Sequence, residues 1–288
     1  MIDSKEYRNR WVEKSHGYLG SDPCHPMSLL EAARSDLARY PEITFLQGRA
    51  TAARREVGGP FVVTVDGAEH AGLRLVLAMG VVDRFPEVDG FFDHYGTSVF
   101  HCTTCDGYEA QGRRVVILGW GEQVVAFAAG LLNWAGQLTV VTEGRPLEGD
   151  ERHREVLARH GIGLVEDDAV ALVGGRGQLR GVRLRSGQVL DADLVFFSIA
   201  HEPRLDLARQ LGCEVDPDGC LRVDRDGRTT VDGCFAAGDI TPGFQLASIA
   251  SGKGAAAGVA CALSLQGQQA SPGSAPPAPD AAAELESG

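Results

Sequence analysis

The apolar run Arg114–Leu118 leads directly into Gly119-Trp120-Gly121, and a helical pattern opens at Glu122. A strand that ends in Gly-x-Gly and turns at once into a helix presents backbone N–H groups to the phosphates of a dinucleotide. The pattern continues with a strand at Leu138–Thr142, a helix at Glu151–Arg159, a strand at Ile162–Val165 and a buried strand at Asp193–Ile199. Such alternation predicts a parallel sheet in an α/β fold. Two details qualify the nucleotide reading. The third small position of the loop is Val124, where Gly or Ala would let helix and strand approach closely, so a looser or altered site is expected. Glu143 follows the second strand, roughly 20 residues beyond the loop, where an acid bonds a ribose 2′-hydroxyl. That favours NADH, whereas Arg145 offers a partner for a 2′-phosphate. The competing reading is a Rossmann-like unit that holds the fold and binds no nucleotide.

Just upstream lies Cys102-Thr103-Thr104-Cys105-Asp106-Gly107. Two cysteines at this spacing can form a disulfide within one helical turn, supply half of a zinc site, or fill a core. Zinc needs four ligands, and Cys213, Cys220 and Cys234 stand alone among scattered histidines. A redox pair is the leading reading. Asp106, next to the second sulfur, can carry the proton that thiol exchange moves, or it is a helix cap or turn residue. His101 is a weaker candidate for stabilising a thiolate.

Elsewhere, Ser28–Tyr40 reads as a helix, with a capping box from Ser28 to Glu31. Ile43–Leu46, Arg49–Arg55, Phe61–Val65 and Leu73–Ala78 read as strands, with a turn at Asp66-Gly67. Val81–Val99 reads as an irregular crossing and Leu179–Leu190 as a hairpin. Cys234–Gly238 is a short strand ending in Gly238-Asp239. Asp239 can bond a sugar or ribityl hydroxyl, and Gln245 opens a small-residue helix whose backbone N–H and dipole can face a cofactor carbonyl. The segment 266–288 is mostly Pro, Ala, Ser, Gly and acid, with little apolar side chain to bury, and is expected to be disordered. Cys24, Cys213, Cys220 and Cys261 read as small apolar fillers, and Lys253 as a solvated lysine.

Net charge is −12 with a pI near 5.1, and no basic stripe is visible, which argues against nucleic-acid binding. Met1–Arg10 is polar, so no signal peptide is expected. Leu73–Val82 and Ala255–Leu265 are too short to span a bilayer, so no membrane association is expected. Seven cysteines in 288 residues do not resemble a secreted disulfide scaffold. The expectation is a soluble, cytoplasmic protein.

Together these residues resemble the thioredoxin-reductase-like branch of the flavin disulfide oxidoreductases. Cys102, Cys105 and Asp106 match its Cys-x-x-Cys-Asp-Gly motif. Leu77-Ala78-Met79-Gly80 resembles its Ala-Thr-Gly segment near FAD, and Gly238, Asp239 and Gln245 match the segment that holds the flavin. Tyr7–Gly20 and Phe100-His101-Cys102 are similar to a sub-branch that includes dithiol oxidases. The resemblance implies two Rossmann-like units. One is a discontinuous FAD-binding unit, 1–109 with 216–265. The other is a NAD(P)-binding unit, 110–215, carrying Gly119, Gly121 and Glu143. It implies electrons moving between NADPH or NADH (or O2), FAD, the cysteine pair and a thioredoxin-like protein or small dithiol/disulfide substrate. It also implies a homodimer.

Two departures stand out. The family's basic cluster that grips the NADPH 2′-phosphate is absent from Thr142–Pro146. The FAD fingerprint Gly-x-Gly-x-x-Gly is also absent. Met1-Ile2-Asp3 resembles the end of that domain's second strand, with Asp3 where an acid meets the adenosine ribose. The expectation is that the first strand, loop and helix precede this start in a longer natural chain. The alternative is a degenerate, FAD-free homologue acting as a binding module.

Overall fold

The computed structural model describes residues 1–266. The chain opens with β1 (Ile2–Asp3), a 3-10 turn at Arg8–Trp11 and α1 (Pro26–Leu37). The helix starts two residues before the expected capping box. Pro26 takes the first helical position, and the His25 ring accepts the Met27 amide proton, so Ser28 caps nothing. β2 (Leu46–Gln47) pairs in parallel with β1 and is all that forms of the strand expected at Ile43–Leu46. β3 (Ala50–Arg55), β4 (Phe61–Val65) and β5 (Ala68–Gly72) make an antiparallel meander. Asp66 and Gly67 both have positive φ, 48° and 84°, as a tight hairpin turn between β4 and β5 requires.

β6 (Leu75–Leu77) and β7 (Val81–Arg84) follow, then α2 (Phe91–His94) and β8 (Val99–Phe100). The segment Val81–Val99 is therefore not irregular throughout. α3 (Thr103–Asp106) carries the cysteine pair and leads to β9 (Arg114–Leu118), α4 (Gln123–Ala129), β10 (Gln137–Val141), α5 (Glu151–Arg159) and β11 (Gly163–Val165). β12 (Ala169–Gly175), β13 (Gln178–Leu184) and β14 (Val189–Asp191) form a second antiparallel sheet. β15 (Leu194–Phe197), β16 (Ala200–Pro203) and α6 (Asp206–Gln210) return the chain to the first unit. β17 (Cys234–Ala236) and α7 (Ala247–Leu265) close it.

The centre is a five-stranded parallel sheet in the order β11-β10-β9-β15-β8. Strand alternation explains its layering. Val115, Ile117 and Phe196 face one side and pack with Val124, Ala128, Leu131 and Leu157 of the helical layer. Val116, Leu118, Val195 and Phe197 face the other side and pack with Val182, Leu184, Phe91 and Tyr95. In β9, Val115 to Leu118 are at most 2% exposed. Burial of each such side chain is worth about 1.5–3 kcal/mol.

A separate core joins Phe61, Val63 and Val65 of β4 to Leu77, Cys234, Ala236, Leu207 and Ala208. Here β6 and β17 run in parallel, pairing Leu77 with Ala236. Their carboxyl ends, Met79-Gly80 and Gly238-Asp239, therefore emerge side by side. The antiparallel ribbon β7–β16 links this part of the chain to the parallel sheet. α7 is longer than the Ala255–Leu265 run expected to be too short for a bilayer. By length and composition alone it could cross a membrane, although Ala257 and Ala260 pack beneath Phe235 of β17. The tail expected to be disordered, 266–288, lies outside the described residues apart from Gln266.

Candidate redox site

Cys102 and Cys105 are joined as a disulfide, with a Cα–Cα distance of 5.2 Å. Cys102 stands at the N-cap of α3 with an extended backbone, and its sulfur accepts the Cys105 amide proton at 3.0 Å. Both sulfurs are engaged with each other. Among the described residues no group of three or more His, Cys, Asp and Glu side chains is arranged to hold a metal ion. Asp106 ends the short helix and its side chain caps nothing, which removes the cap reading. Only 7% exposed, its carboxyl is pushed up to about 7. Burial is the main cause; Glu109 adds to it and His16 opposes it. A carboxyl that keeps its proton near neutral pH can give it to a departing thiolate and take it back. A cleft of about 490 Å³ reaches Asp106 from solvent, lined in part by Lys14, His16, Thr97 and Glu109.

His101, just before the pair, does not supply a positive charge. Its Nδ1 lies 3.0 Å from the Tyr95 hydroxyl, and burial, with help from the Arg8 charge, lowers it to about 4. The ring is thus neutral, and it packs beside Phe197 and Tyr95 at the end of an aromatic cluster that includes Phe85 and Phe91.

Arg8, which sequence reasoning missed, gathers the proposed flavin segment. It donates two hydrogen bonds to Asp83, at 2.6 and 2.8 Å, and one to Gln245 Oε1 at 2.6 Å, and it lies 3.6 Å from Asp239. Gln245 differs from expectation. The helix begins at Ala247, so Gln245 acts through its side chain, between Arg8 and His201, and not through a helix-terminal N–H. Burial raises the Asp239 carboxyl. With Arg8 no nearer than 3.6 Å, Asp239 keeps acceptor capacity for a ligand hydroxyl. This donor and acceptor set suits the ribityl end of a flavin. Asp3 is already occupied: it accepts from Tyr7, Lys5 N–H and Arg34 at 2.5–2.8 Å. Burial pushes its carboxyl up, but these partners outweigh it and hold it below the usual value.

At the glycine loop, a Cβ on Gly119 would lie 2.6 Å from the Ser198 carbonyl, and one on Gly121 would clash with the Gln123 side chain. Val124 is fully buried and lies 3.1 Å from the same Gly119 Cβ position, so it fills the helix–strand contact instead of loosening it. The Arg145 guanidinium stacks on Trp120 at 4.2 Å. Glu143 has φ +56°, and its Oε1 is enclosed without a hydrogen-bond partner. Burial, reinforced by Asp168, raises this carboxyl to about 7. The Gly119–Gly121 backbone, kept clear of side chains at these contacts, fits the close approach of a dinucleotide's phosphates, whereas the enclosed Glu143 oxygen is not open to a ligand hydroxyl.

Comparison with known proteins agrees with this geometry. The pyridine nucleotide-disulphide oxidoreductase family profile matches residues 20–254. The thioredoxin reductase of Mycolicibacterium smegmatis is 32% identical over 215 residues, covering 71% of this chain and 68% of that protein. The bifunctional thioredoxin reductase/thioredoxin of Mycobacterium leprae is 31% identical over 213 residues, covering 69% of this chain; the chain spans 45% of that protein's length. An oxidoreductase structure from Agrobacterium tumefaciens superposes with a TM-score of 0.82 at 32% identity, covering 92% of this chain and 89% of that one. The expected α/β architecture of Rossmann-like units is the one these relatives share. The chain belongs to the pyridine nucleotide-disulphide oxidoreductase family, on its thioredoxin-reductase-like branch.

Proposed function

We propose that the chain is a dithiol/disulfide oxidoreductase in which Cys102 and Cys105 cycle between disulfide and dithiol. The observation that carries this is the closed disulfide directly beside a buried carboxyl that holds a proton near neutrality. Reduction of the pair takes two electrons and two protons. Exchange with a substrate disulfide then re-forms the Cys102–Cys105 bond and releases two substrate thiols. Asp106 supplies and recovers the proton on the sulfur side. Asp239 and Gln245, gathered by Arg8, hold the flavin end of FAD together with Gly238, while Asp3, expected on the adenosine side, is spent on Tyr7 and Arg34; Gly119 and Gly121, with the turn at Glu143, hold the nicotinamide nucleotide. Relatives in this family use FAD and NADPH. FAD, when bound, carries two electrons between the nicotinamide and the sulfur pair.

The finer assignments belong to the same reading. The FAD-binding-like unit comprises 1–109 with 216–265, and the NAD(P)-binding-like unit 110–215. The partner is a thioredoxin-like protein or a small dithiol/disulfide compound. Five free thiols beside one cycled disulfide suit the reducing cytoplasm. The exposed side of α7, with Val259 and Leu265, suits a homodimer contact.

The test is turnover of purified, flavin-loaded protein. NADH or NADPH with a disulfide reagent should give thiol release, and both C102S and C105S should abolish it. Peroxide formation from a dithiol in air, without nucleotide turnover, would select the oxidase direction. Loss of neither activity on replacing either cysteine would reject the proposal.

A further inference from the structure

We propose that His16, held by Asp22 and facing Glu109, delivers protons to Asp106 and takes them back, so that the buried acid is recharged from solvent in each cycle. This deepens the thiol reading above and rests on it in taking Asp106 as the acid beside the sulfurs.

Asp106 is almost enclosed, yet every disulfide reduced needs protons from outside the protein. Water is a poor acid at neutral pH, and histidine is the residue type suited to carrying protons there. His16 lines the same cleft as Asp106 and Glu109. Its two ring nitrogens have different surroundings. Nδ1 lies 2.8 Å from Asp22 Oδ1, and the other Asp22 oxygen accepts the Gly17 amide proton, also at 2.8 Å. The Gly17 N–H and the His16 ring hold the Asp22 carboxyl below its usual value. Asp22 therefore stays ionised at the solvent side of the ring, with its side chain 45% exposed. Nε2 is covered by protein and lies 3.2 Å from Glu109 Oε1, without an aligned hydrogen bond. A carboxylate on one nitrogen fixes an imidazole and makes its other nitrogen the more basic.

The chain sets this arrangement locally. Ser15 and Cys24 exchange both backbone hydrogen bonds, at 2.7 and 3.1 Å, and so close the loop that carries His16 and Asp22. Glu109 lies in the 3-10 turn that follows α3, three residues beyond Asp106. Beyond burial, the charges of His16 and Glu109 both act on the Asp106 carboxyl. The other charged groups lining the cleft are Lys14 and the Glu13–Arg176 ion pair, closed at 2.7 Å. The proton count follows from this order. When the Cys102–Cys105 bond is broken, Asp106 gives its proton to the departing thiolate and is left as a carboxylate. The His16 imidazolium passes its Nε2 proton inward, through Glu109, and Asp106 is an acid again. The neutral ring then takes a proton from a buffer acid in solvent. One proton enters for each proton given to sulfur, and no electron moves on His16. Oxidation of a dithiol runs the same steps in reverse.

The experiment is steady-state disulfide turnover by the flavin-loaded chain slightly above neutral pH, with and without added imidazole. H16N keeps an amide that can donate to Asp22, and H16Q keeps one that can reach Glu109, so each preserves one contact of the ring and neither carries a proton. Each variant should lower kcat about tenfold or more with KM changed less than about twofold, and imidazole should restore at least about half of the parent rate. The parent rate should not respond to imidazole. A purely structural role for His16 would change KM or unfold the loop, and imidazole would restore nothing. Parent-like kcat in both variants, or losses that imidazole restores in neither, overturns the inference. D106N separates it from the reading on which it rests. Should D106N turn over like the parent, the acid is wrongly assigned and both fall; should D106N be slow while H16N and H16Q are not, this inference alone fails. Combining H16N with D106N should add less than about twofold to the loss in D106N, because His16 acts only through Asp106.

Discussion

Asp106 keeps its proton because its folded surroundings cannot solvate a carboxylate, and this makes the stability of the fold depend on pH. Its carboxyl sits at about 7 in the folded chain and near 3.8 once exposed. Between those values the folded state binds the extra proton. Its contribution to stability is therefore intact at low pH, declines as pH rises through this window, and is lost above it. The displacement corresponds to roughly 4 kcal/mol at most. D106N removes the ionisation while keeping the size. It should be more stable than the parent chain by about 1–4 kcal/mol at pH 8 and indistinguishable from it near pH 4, as read by denaturant unfolding. The same variant should lose about 10²–10⁴-fold in disulfide turnover, because no proton donor remains beside the sulfurs. A D106N protein that is less stable at pH 8 would show that the carboxylate is stabilised in the fold after all. This residue was legible in sequence because it is contiguous with the cysteines. Arg8 was not, since its partners Asp83 and Gln245 lie 75 and 237 positions away and only the tertiary fold brings them together.

Secondary structure was legible where one local signal dominated. β4 and β9 end where their apolar pattern ends, and α5 begins after Asp150, whose side chain accepts the Arg152 amide proton. It was less legible where pairing partners are remote. β8 is two residues long and exists because Val99 and Phe100 pair with Val195 and Phe196. β12, unread in the sequence, is held by β13. α4 stops at Ala129, where Gly130 and tight turns at Leu131–Trp134 follow. Glycines show the same division. Gly119 permits the β9–α4 turn to press against the end of β15, so G119A must displace the Ser198 carbonyl. Gly254, within α7, has open space where its Cβ would be. G119A should lower stability by about 1–3 kcal/mol, whereas G254A should raise it by up to about 1 kcal/mol through helix propensity. Thermal unfolding of the two variants separates the packing role from the merely tolerated glycine; a neutral G119A would show that the loop relaxes without cost.

Across the whole molecule, sulfur chemistry is divided by burial. The Cys102–Cys105 pair is half-buried, while Cys213 and Cys234, the first residue of β17, are 7% and 1% exposed in the core, their sulfurs 4.0 Å apart. The Cys234 thiol is pushed up by its contact with Cys213 and by burial, which keeps it inert in the folded state. Cys24, Cys220 and Cys261 are only partly covered. The sequence reading of Cys24, Cys213, Cys220 and Cys261 as apolar fillers therefore suits Cys213 better than the other three, whose exposure depends on how distant elements pack over them. An aromatic disulfide reagent should react readily with no more than those three thiols in the native chain, since the core pair is reached only by opening that part of the fold. Unfolding without a reductant should expose five thiols, and unfolding after reduction should expose all seven. Replacing both Cys102 and Cys105 by serine should leave five in either case. A count of seven in the unreduced unfolded chain would mean that the pair rests as a dithiol and that an external oxidant must close it. A count of three would place a second disulfide between Cys213 and Cys234, coupling the strand that leads to Asp239 to the redox state of the core.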